Sequence, residues 1–305
     1  FVLSMGFFVP FFAFHFAGNF SNHSDDLYVS PQKEINLAKK EEQEINIPVA
    51  SITESVGKKQ ALNKNIVSLI FVGDIMVGRG VENSVIKNSN GDYAFLFKNA
   101  DFVKNADISF GNLEGPISDK GEDLGNLYSF RFNPLISSAL KDAGFDVLSI
   151  ANNHIGDWGR GAFEDNLLRL INDGFLIVGG GVNKENAGSV KIIGKQGIRF
   201  GFLAFSDVGP NWLEAGENDS GISIVKDELV SHLIQSASQR ADVLVVSFHF
   251  GEEYQKNAND RQKKLARLAI DSGAKIVIGH HPHVAQEIER YKNGVIVYSL
   301  GNFIF

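Results

Sequence analysis

The sequence predicts an α/β fold with a mixed sheet and helices packed outside it. Short apolar runs, of the length of buried strands, recur from residue 66 onward. Several of the segments between them place apolar residues at three- and four-residue spacing, which is typical of helices that bury one face. Five of the apolar runs end in residues that can bind metals. Because open α/β sheets hold their sites at the carboxyl ends of strands, this pattern predicts one shared site.

Composition excludes several classes of function. The chain has 305 residues, and 44% of them are apolar, which is enough for a large core. With 29 basic and 36 acidic residues the net charge is −7, so we expect no nucleic acid partner. The absence of cysteine excludes disulfides, thiolate catalysis and cysteine-bound metal. Any metal must therefore be held by His, Asp, Glu and Asn.

The first 65 residues differ from the rest. Residues 1–18 carry thirteen apolar side chains and no charge, which is typical of a signal peptide or a transmembrane anchor, with a buried core helix as the third interpretation. Either of the first two would place the rest of the chain outside the cytoplasm. Residues 19–65 are rich in Ser, Asn, Gln, Glu and Lys, and we expect a polar disordered linker there. Since the chain begins with Phe1, we expect the native N-terminus to lie further upstream.

The predicted folded domain spans 66–305. Its five main strands are predicted at 67–72, 108–110, 147–151, 243–248 and 275–278. Helices are predicted at 134–143, 162–173, 227–240 and 260–272, and glycines follow three of them as C-cap signals. Two hairpins are predicted at 190–205 and 286–298, each with a glycine in its turn. Because an apolar run precedes Phe305 directly, we expect the domain to continue beyond this residue.

Candidate ligands follow the five strands. They are Asp74, Glu114, Asn153, His154, His249, His280, His281 and His283. This mixture of oxygen and nitrogen donors suits Mn, Fe or Zn better than Mg or Ca, which prefer oxygen alone. A carboxylate such as Asp74 or Glu114 can bridge two ions about 3.5–4 Å apart. One further imidazole, not bound to metal, can protonate a leaving oxygen.

Six motifs occur in a recognisable order. They are Gly73-Asp74-Ile75-Met76, Asn112-Leu113-Glu114, Ala151-Asn152-Asn153-His154, His249-Phe250-Gly251-Glu252-Glu253-Tyr254, Gly279-His280-His281-Pro282-His283-Val284 and Tyr298-Ser299-Leu300-Gly301-Asn302-Phe303. Their succession over residues 66–305 closely resembles the CapA family of capsule and poly-gamma-glutamate biosynthesis proteins. It is also similar to a variant of the calcineurin-like metallophosphoesterase superfamily.

The resemblance implies a four-layer αββα sandwich that holds two divalent metal ions, Mn, Fe or Zn, at its strand ends. By position, it implies the metal ligands Asp74, Glu114, Asn153, His249, His281 and His283. His154 would be the unligated acid, and Asp157 would either orient it or cap the next helix. His280 could replace His281 as a ligand or contact the substrate.

Three arginines are candidates for substrate binding. Arg79, Arg131 and Arg160 can each bind a carboxylate or phosphate in a bidentate manner, and we prefer Arg160 because it is nearest to His154 in sequence. The acidic pair at 252–253 could line the cleft, but solvated charge is the favoured interpretation.

Two residues depart from the general phosphoesterase pattern. Met76 stands where those enzymes carry the His of Asp-x-His, and Glu114 stands where they carry Asp. Both departures support the CapA-like subfamily and count against ordinary phosphoesterase activity.

The expected function is that of a membrane-tethered, extracytoplasmic protein in the synthesis, attachment or export of an anionic surface polymer. Its expected partners are this polymer or its precursor, the membrane through the N-terminal segment, and polymer synthase subunits. Two alternatives stay open. One is a non-catalytic metal-binding subunit of a polymer synthase, and the other is a secreted metallophosphoesterase with no role in capsule formation.

Overall fold

A computed structural model describes residues 11–17, 28–29 and 66–305 of the chain. Its strands, in chain order, are β1 (Phe11–Ala17), β2 (Tyr28–Val29), β3 (Ile66–Ile75), β4 (Ile108–Leu113), β5 (Val147–Ser149), β6 (Leu176–Val178), β7 (Gly180–Gly181), β8 (Lys191–Lys195), β9 (Ile198–Ser206), β10 (Gly221–Ile222), β11 (Val243–His249), β12 (Ile276–His280), β13 (Ile288–Tyr291), β14 (Gly294–Val297) and β15 (Asn302–Ile304).

The strands form two large sheets. The first has the order β2-β1-β3-β4-β5-β6, with β15 also paired to β3. The second has the order β13-β14-β12-β11-β9-β8. Central strands are parallel in both sheets, whereas β1, β2, β8 and β13 pair antiparallel at the edges. Both predicted hairpins are confirmed as the pairs β8–β9 and β13–β14.

Apolar side chains pack between and outside the sheets. Inward-facing residues of the two sheets, such as Phe71, Phe110 and Phe202, share one buried cluster, which places the sheets face to face. A second cluster covers the outer face of the first sheet, and a third covers the outer face of the second sheet. Helices contribute to both outer clusters, so the layers are helix, sheet, sheet and helix. The expected αββα sandwich is confirmed.

Helices fill the outer layers. They are α1 (Arg79–Ser89), α2 (Asp101–Asn105), α3 (Leu135–Asp142), α4 (Gly159–Asn172), α5 (Lys184–Gly188), α6 (Asp227–Ser238) and α7 (Asp260–Asp271), together with short 3₁₀ turns at Tyr93–Phe97 and Asn211–Leu213. The four predicted helices correspond to α3, α4, α6 and α7. Helix α1 was not predicted, because Val85 is its one buried residue and no apolar stripe marks it.

The N-terminal predictions concern residues that the structure describes only in part. Phe11–Ala17 pairs antiparallel with β3 along its length, from Phe11 beside Val72 to Ala17 beside Ile66. The predicted linker lies outside the described residues, apart from Tyr28–Val29. Within the described ranges, no helix combines the length and the apolar character needed to cross a bilayer. The signal peptide or anchor at 1–18 stays a prediction.

An ion-pair network around the buried carboxylate of Asp165 ties α4 to the loop after β4. The Asp165 carboxylate contacts Lys120 Nζ at 2.9 Å and Arg169 Nε at 2.8 Å, and it accepts a hydrogen bond from Ser118 Oγ. Burial alone would raise the pKa of Asp165, but its hydrogen bonds with Arg169, Lys120 and Ser118 outweigh burial and lower that pKa to about 2. The ionised carboxylate is therefore part of the folded state.

We predict that Asp165→Asn destabilises the domain by about 1–2 kcal/mol at neutral pH, because it leaves Arg169 and Lys120 without their shared carboxylate. The folded-state pKa lies below the ordinary value of 3.8, so this stabilisation is fully present above that value and is lost as the pH falls toward 2. Urea unfolding of both proteins should show a constant difference in stability above about pH 4, and this difference should narrow as the pH falls from there toward 2. The exposed variant Glu217→Gln is the control, and an equal loss in that variant would contradict the assignment.

Candidate metal centre

Two glycines let strands approach closely at the centre. A Cβ on Gly73 would lie 1.9 Å from the carbonyl oxygen of Gly301, and a Cβ on Gly279 would lie 1.9 Å from that of Tyr298. Neither position can therefore carry a side chain without moving the neighbouring backbone. The next residues along the chain are Asp74 and His280, so these contacts fix where both side chains leave their strands.

The loop that follows β12 has an unusual backbone. His281 and His283 have φ values of 97° and 59°, and Tyr254 in the facing loop has a φ of 61°. Left-handed conformations at non-glycine residues cost of order 1–3 kcal/mol each and persist only where surrounding structure holds them. Here the backbone N–H of Tyr254 donates to the carbonyl of Pro282 at 2.8 Å, which joins the two loops. The strain turns both imidazoles toward the strand ends.

Asp74 is fully buried at the centre of the cluster. One oxygen lies 3.2 Å from His280 Nδ1 and the other lies 3.2 Å from His283 Nδ1. It also accepts hydrogen bonds from Asn112 Nδ2 at 2.9 Å and from the backbone N–H of His281 at 3.2 Å. Burial opposes ionisation, but the hydrogen bonds and charges of His280 and His283 prevail and hold the pKa of Asp74 well below its usual range.

Glu114 has the opposite surroundings. Its side chain is fully buried, and neither carboxylate oxygen has a hydrogen-bond partner among the described residues. Burial, and then repulsion from Asp74, Glu253 and Asp157, raises the pKa of Glu114 well above its usual range. One oxygen lies 3.6 Å from His249 Nε2 and 3.7 Å from His283 Nε2. A buried carboxylate without a hydrogen-bond donor needs a compensating positive charge, and a bound cation would supply it.

Three groups of side chains bring their ligand atoms within 4.8 Å of one another. They are Glu114 with His249 and His281, Asp74 with Glu114 and His283, and Glu253 with His281 and His283. Glu114 belongs to two of these groups, as a bridging carboxylate would. The donor set offers the mixed carboxylate and imidazole ligands that divalent Mn, Fe and Zn accept.

The candidate ligand imidazoles differ in pKa: burial favours the neutral ring at His249 and His281, whereas at His283 burial is outweighed by the hydrogen bond and charge of Asp74, which raise the pKa. Burial, and then the charge of His281, lowers the pKa of His249 well below its usual range. Burial, and then the charge of His283, lowers the pKa of His281 to about 4. A neutral ring can offer a lone pair to a cation. Asn153 Oδ1 lies 2.8 Å from His249 Nε2, which places the predicted amide ligand beside that imidazole.

His154 lies at the edge of the cluster, on the loop before α4. Its Nδ1 is 2.8 Å from Asp157 Oδ2, and the Phe130 ring packs against it with centroids 4.1 Å apart. Asp157 accepts further hydrogen bonds from the backbone N–H of Phe130 and from Asn126 Nδ2. Since an ionised carboxylate only accepts, Nδ1 carries the proton and Nε2 is left to face the site. The cap position of α4 is Trp158, so Asp157 orients His154 and does not cap the helix.

Neither predicted substrate contact, His280 or Arg160, belongs to the three ligand groups. His280 is fully buried behind Asp74, with its ring stacked on Phe110. In the structure His280 does not reach the surface of the site, and its assignment as a substrate contact stays a prediction. Arg160 contacts Trp212 through a hydrogen bond to its carbonyl at 3.3 Å and does not join the three ligand groups.

Sequence reasoning missed three residues of the centre. Glu253 was interpreted as solvated charge, yet it shares a ligand group with His281 and His283 while remaining exposed. Asn112 links Asp74 to His249: the side-chain amide nitrogen of Asn112 donates to Asp74 and lies 3.4 Å from Nδ1 of His249. Asn302 Oδ1 lies 2.9 Å from His283 Nδ1 and so directs Nε2 toward Glu114. All three residues occur in the quoted motifs, and Asn112 and Glu253 lie near the carboxyl ends of β4 and β11, which is the signal that could have identified them.

Comparisons with known proteins agree with the motif order. The family model described as Bacterial capsule synthesis protein PGA_cap matches residues 68–305. The chain is 36% identical over 253 residues to the PGA biosynthesis protein CapA of Bacillus subtilis, an alignment that covers 81% of this chain and 66% of that protein. It is 34% identical over 263 residues to the capsule biosynthesis protein CapA of Bacillus anthracis, covering 83% of this chain and 63% of that protein. The chain thus spans just under two thirds of the length of these curated relatives.

Solved structures with a similar arrangement are more distant. A hypothetical protein from Thermus thermophilus is 17% identical with a TM-score of 0.47, covering 76% of this chain and 75% of that one. A 5'-nucleotidase precursor from the same organism is 16% identical with a TM-score of 0.41, covering 68% of this chain and 43% of that one.

We predict that the double variant His281→Ala, His283→Ala lowers bound Mn or Zn from about two ions per chain to less than one. The reason is that each of the three ligand groups contains at least one of these two imidazoles. Elemental analysis of the purified protein measures this content, with circular dichroism as the check on folding. His232→Ala, which removes an exposed imidazole on α6, is the control. Unchanged metal content in a folded double variant would contradict the assignment.

We predict that Glu253→Gln weakens the binding of one ion by about tenfold or more, because the amide lacks the charge of the carboxylate. Calorimetric titration of the metal-depleted protein with Mn measures the dissociation constant of the ion. Glu252→Gln is the matched control, since that neighbouring carboxylate is equally exposed and belongs to none of the ligand groups. Equal affinities in the two variants would show that Glu253 is solvated charge.

Proposed function

The chain belongs to the bacterial capsule synthesis protein family PGA_cap, and from this membership we propose that it acts in capsule or poly-gamma-glutamate biosynthesis through a metal-dependent hydrolase or transferase site. We further propose that residues 1–18 tether it to the membrane or export it, so that the domain works outside the cytoplasm. The relatives support the polymer, and the apolar composition of 1–18 supports the location.

One observation carries the proposed chemistry. Glu114 is a fully buried carboxylate with both oxygens unpartnered among the described residues, and it is shared between two groups of candidate ligands. Burying two carboxylates in one cluster is costly unless positive charge compensates them. A purely structural core would place apolar residues here. The side chains present therefore support a site for two cations.

Residues around the metal cluster have separate roles in the proposed reaction. When bound, a pair of divalent ions would polarise an ester oxygen and make water acidic enough to act as a nucleophile near neutral pH. When its ring carries a proton on both nitrogens, His154 keeps its Nδ1–H on Asp157 and can give the Nε2 proton to a leaving oxygen. Asp157 fixes the orientation of that ring, and Phe130 packs on it and excludes water from one side. Asn112 and Asn302 hold Asp74, His249 and His283 in place.

A second function is favoured by Met76. This side chain stands at the position of a ligating histidine in ordinary metallophosphoesterases, and in the structure it is buried in the apolar cluster that covers the first sheet. It offers no nitrogen or oxygen to a metal. The chain could accordingly act as a non-catalytic, metal-binding subunit of a polymer synthase, in which the cluster is a structural or polymer-binding element.

We predict that His154→Ala lowers the turnover of a chromogenic phosphodiester by the Mn-loaded protein by about 10²- to 10⁴-fold, because the leaving oxygen loses its proton donor. Metal content should stay unchanged, since His154 belongs to none of the ligand groups. His232→Ala is again the control for an exposed imidazole. Equal activity in His154→Ala and the wild type would exclude the acid role.

The same assay separates the two functions. A wild-type protein that binds Mn, hydrolyses no phosphoester and is still needed for polymer production in cells would support the non-catalytic subunit. In that case the His281→Ala, His283→Ala variant should stop polymer production, whereas His154→Ala should not.

A further inference from the structure

Three arginines near His154 hold no carboxylate. They are Arg79, Arg131 and Arg160, and we refer to them as the arginine rim. Among the described residues, no rim guanidinium forms a salt bridge with an acidic side chain. By contrast, Arg169, Arg199, Arg261 and Arg267 each hold at least one carboxylate, at distances of 2.8, 2.8, 2.7 and 2.9 Å. The rim is therefore a local concentration of unneutralised positive charge on a chain whose net charge is −7.

Each rim guanidinium lies over an aromatic ring. Arg131 is 3.5 Å from the centroid of Trp158, Arg160 is 5.9 Å from that of Trp212, and Arg79 is 5.4 Å from that of Tyr128. A ring holds the planar guanidinium by one face and leaves its N–H edge available for hydrogen bonds. Arg131 and Arg160 each use one N–H of that edge to donate to a backbone carbonyl, of Lys120 and Trp212 respectively, at 3.3 Å. The fixed side chains lose little conformational freedom when they bind a ligand. The rim is thus prepared for planar anions.

The rim borders the site through a chain of direct contacts. Arg79 lies 5.8 Å from the ring of Phe130, and that ring packs on His154. Arg131 follows Phe130 in the sequence. Arg160 lies in the first turn of α4, and its partner Trp212 packs close to Gly156, two residues after His154. All three guanidiniums therefore lie around the loop that carries the proposed acid.

Several donors at the rim have no acceptor in the protein. Arg160 Nη1 and Trp158 Nε1 are both buried and without a hydrogen-bond partner among the described residues. The nearby carboxylate of Asp123 accepts at Oδ1 from the backbone N–H of Gly125 and from Ser129 Oγ, and it forms no salt bridge with a rim arginine among the described residues. Buried donors without partners are costly, and an external anion would satisfy them.

We propose that the arginine rim binds successive carboxylates of an acidic polymer and guides the chain to the metal centre. This proposal rests on the proposed function, because it assigns a ligand class to the same site. Repeated carboxylates match three separate guanidiniums, each able to form a bidentate pair. Leu127, Tyr128 and Trp212, which are 89%, 51% and 48% exposed, offer apolar surface to the methylene groups between those carboxylates.

The test measures binding of poly-gamma-glutamate to the full chain at low ionic strength, by calorimetry, with and without Mn. The triple variant Arg79→Gln, Arg131→Gln, Arg160→Gln should weaken binding about tenfold or more, because it removes three charge-assisted pairs. The control Arg199→Gln, Arg240→Gln, Arg267→Gln removes the same charge elsewhere and should leave affinity within about twofold of the wild type. Polyphosphate serves as the competing polyanion.

The outcomes are separable from those of the enzymatic assay. Selective loss in the rim variant, with unchanged metal content, supports the proposal even where no phosphoester is hydrolysed. Three results would overturn it: no binding by the wild type, an equal loss in the control variant, or tighter binding of polyphosphate than of poly-gamma-glutamate. Binding measured without Mn keeps the result independent of the metal centre.

Discussion

The structure depends on keeping two carboxylates, Asp74 and Glu114, buried together. Their ligand atoms lie within 4.8 Å of each other and both side chains are inaccessible to solvent. At an effective dielectric constant of about 20, two unit charges at this distance repel by about 3.5 kcal/mol, before any cost of desolvation. The protein meets this cost unequally: histidines and Asn112 stabilise the charge of Asp74, whereas Glu114 receives no donor from the described residues. A cation shared through Glu114 resolves the imbalance, and the surrounding imidazoles can complete its coordination.

The sandwich brings the necessary side chains together because both sheets direct the carboxyl ends of their parallel strands to the same edge. Asp74 lies beside Asn112 in the register of the first sheet, and His249 lies beside His280 in the second. Gly73 and Gly279, which precede Asp74 and His280, let their strands approach the backbone carbonyls of Gly301 and Tyr298. Left-handed residues at His281 and His283 then complete the cluster, at a conformational cost that the strand framework supports.

Much of this arrangement follows from local sequence pattern. Buried strands and amphipathic helices have clear periodicity, and polar residues at strand ends predicted the convergence of Asp74, Glu114, His249 and His283. Helix α1 lacked an apolar stripe and gave no such signal. The position of His280 behind Asp74 depends on alternation within β12 and on how the two sheets face each other, which no local pattern defines. Glu253 is exposed, and its approach to His281 depends on the Tyr254–Pro282 backbone contact between distant loops.

Met76 in place of a ligating imidazole removes one neutral ligand, so the charge of the centre is set by its carboxylates. With Glu253 included, the candidate ligands carry three negative charges, while two divalent ions carry four positive charges, so that the filled cluster has a net charge near +1. The arginine rim adds three positive charges beside His154. A local field of this sign attracts an anionic chain to one face of an otherwise acidic protein, because the low-dielectric surroundings of a cleft focus the potential of nearby charges. In the proposed scheme the two tasks would be separate: the exposed carboxylate of Glu253 would limit the positive charge of bound metals, and the rim would select and orient the polymer.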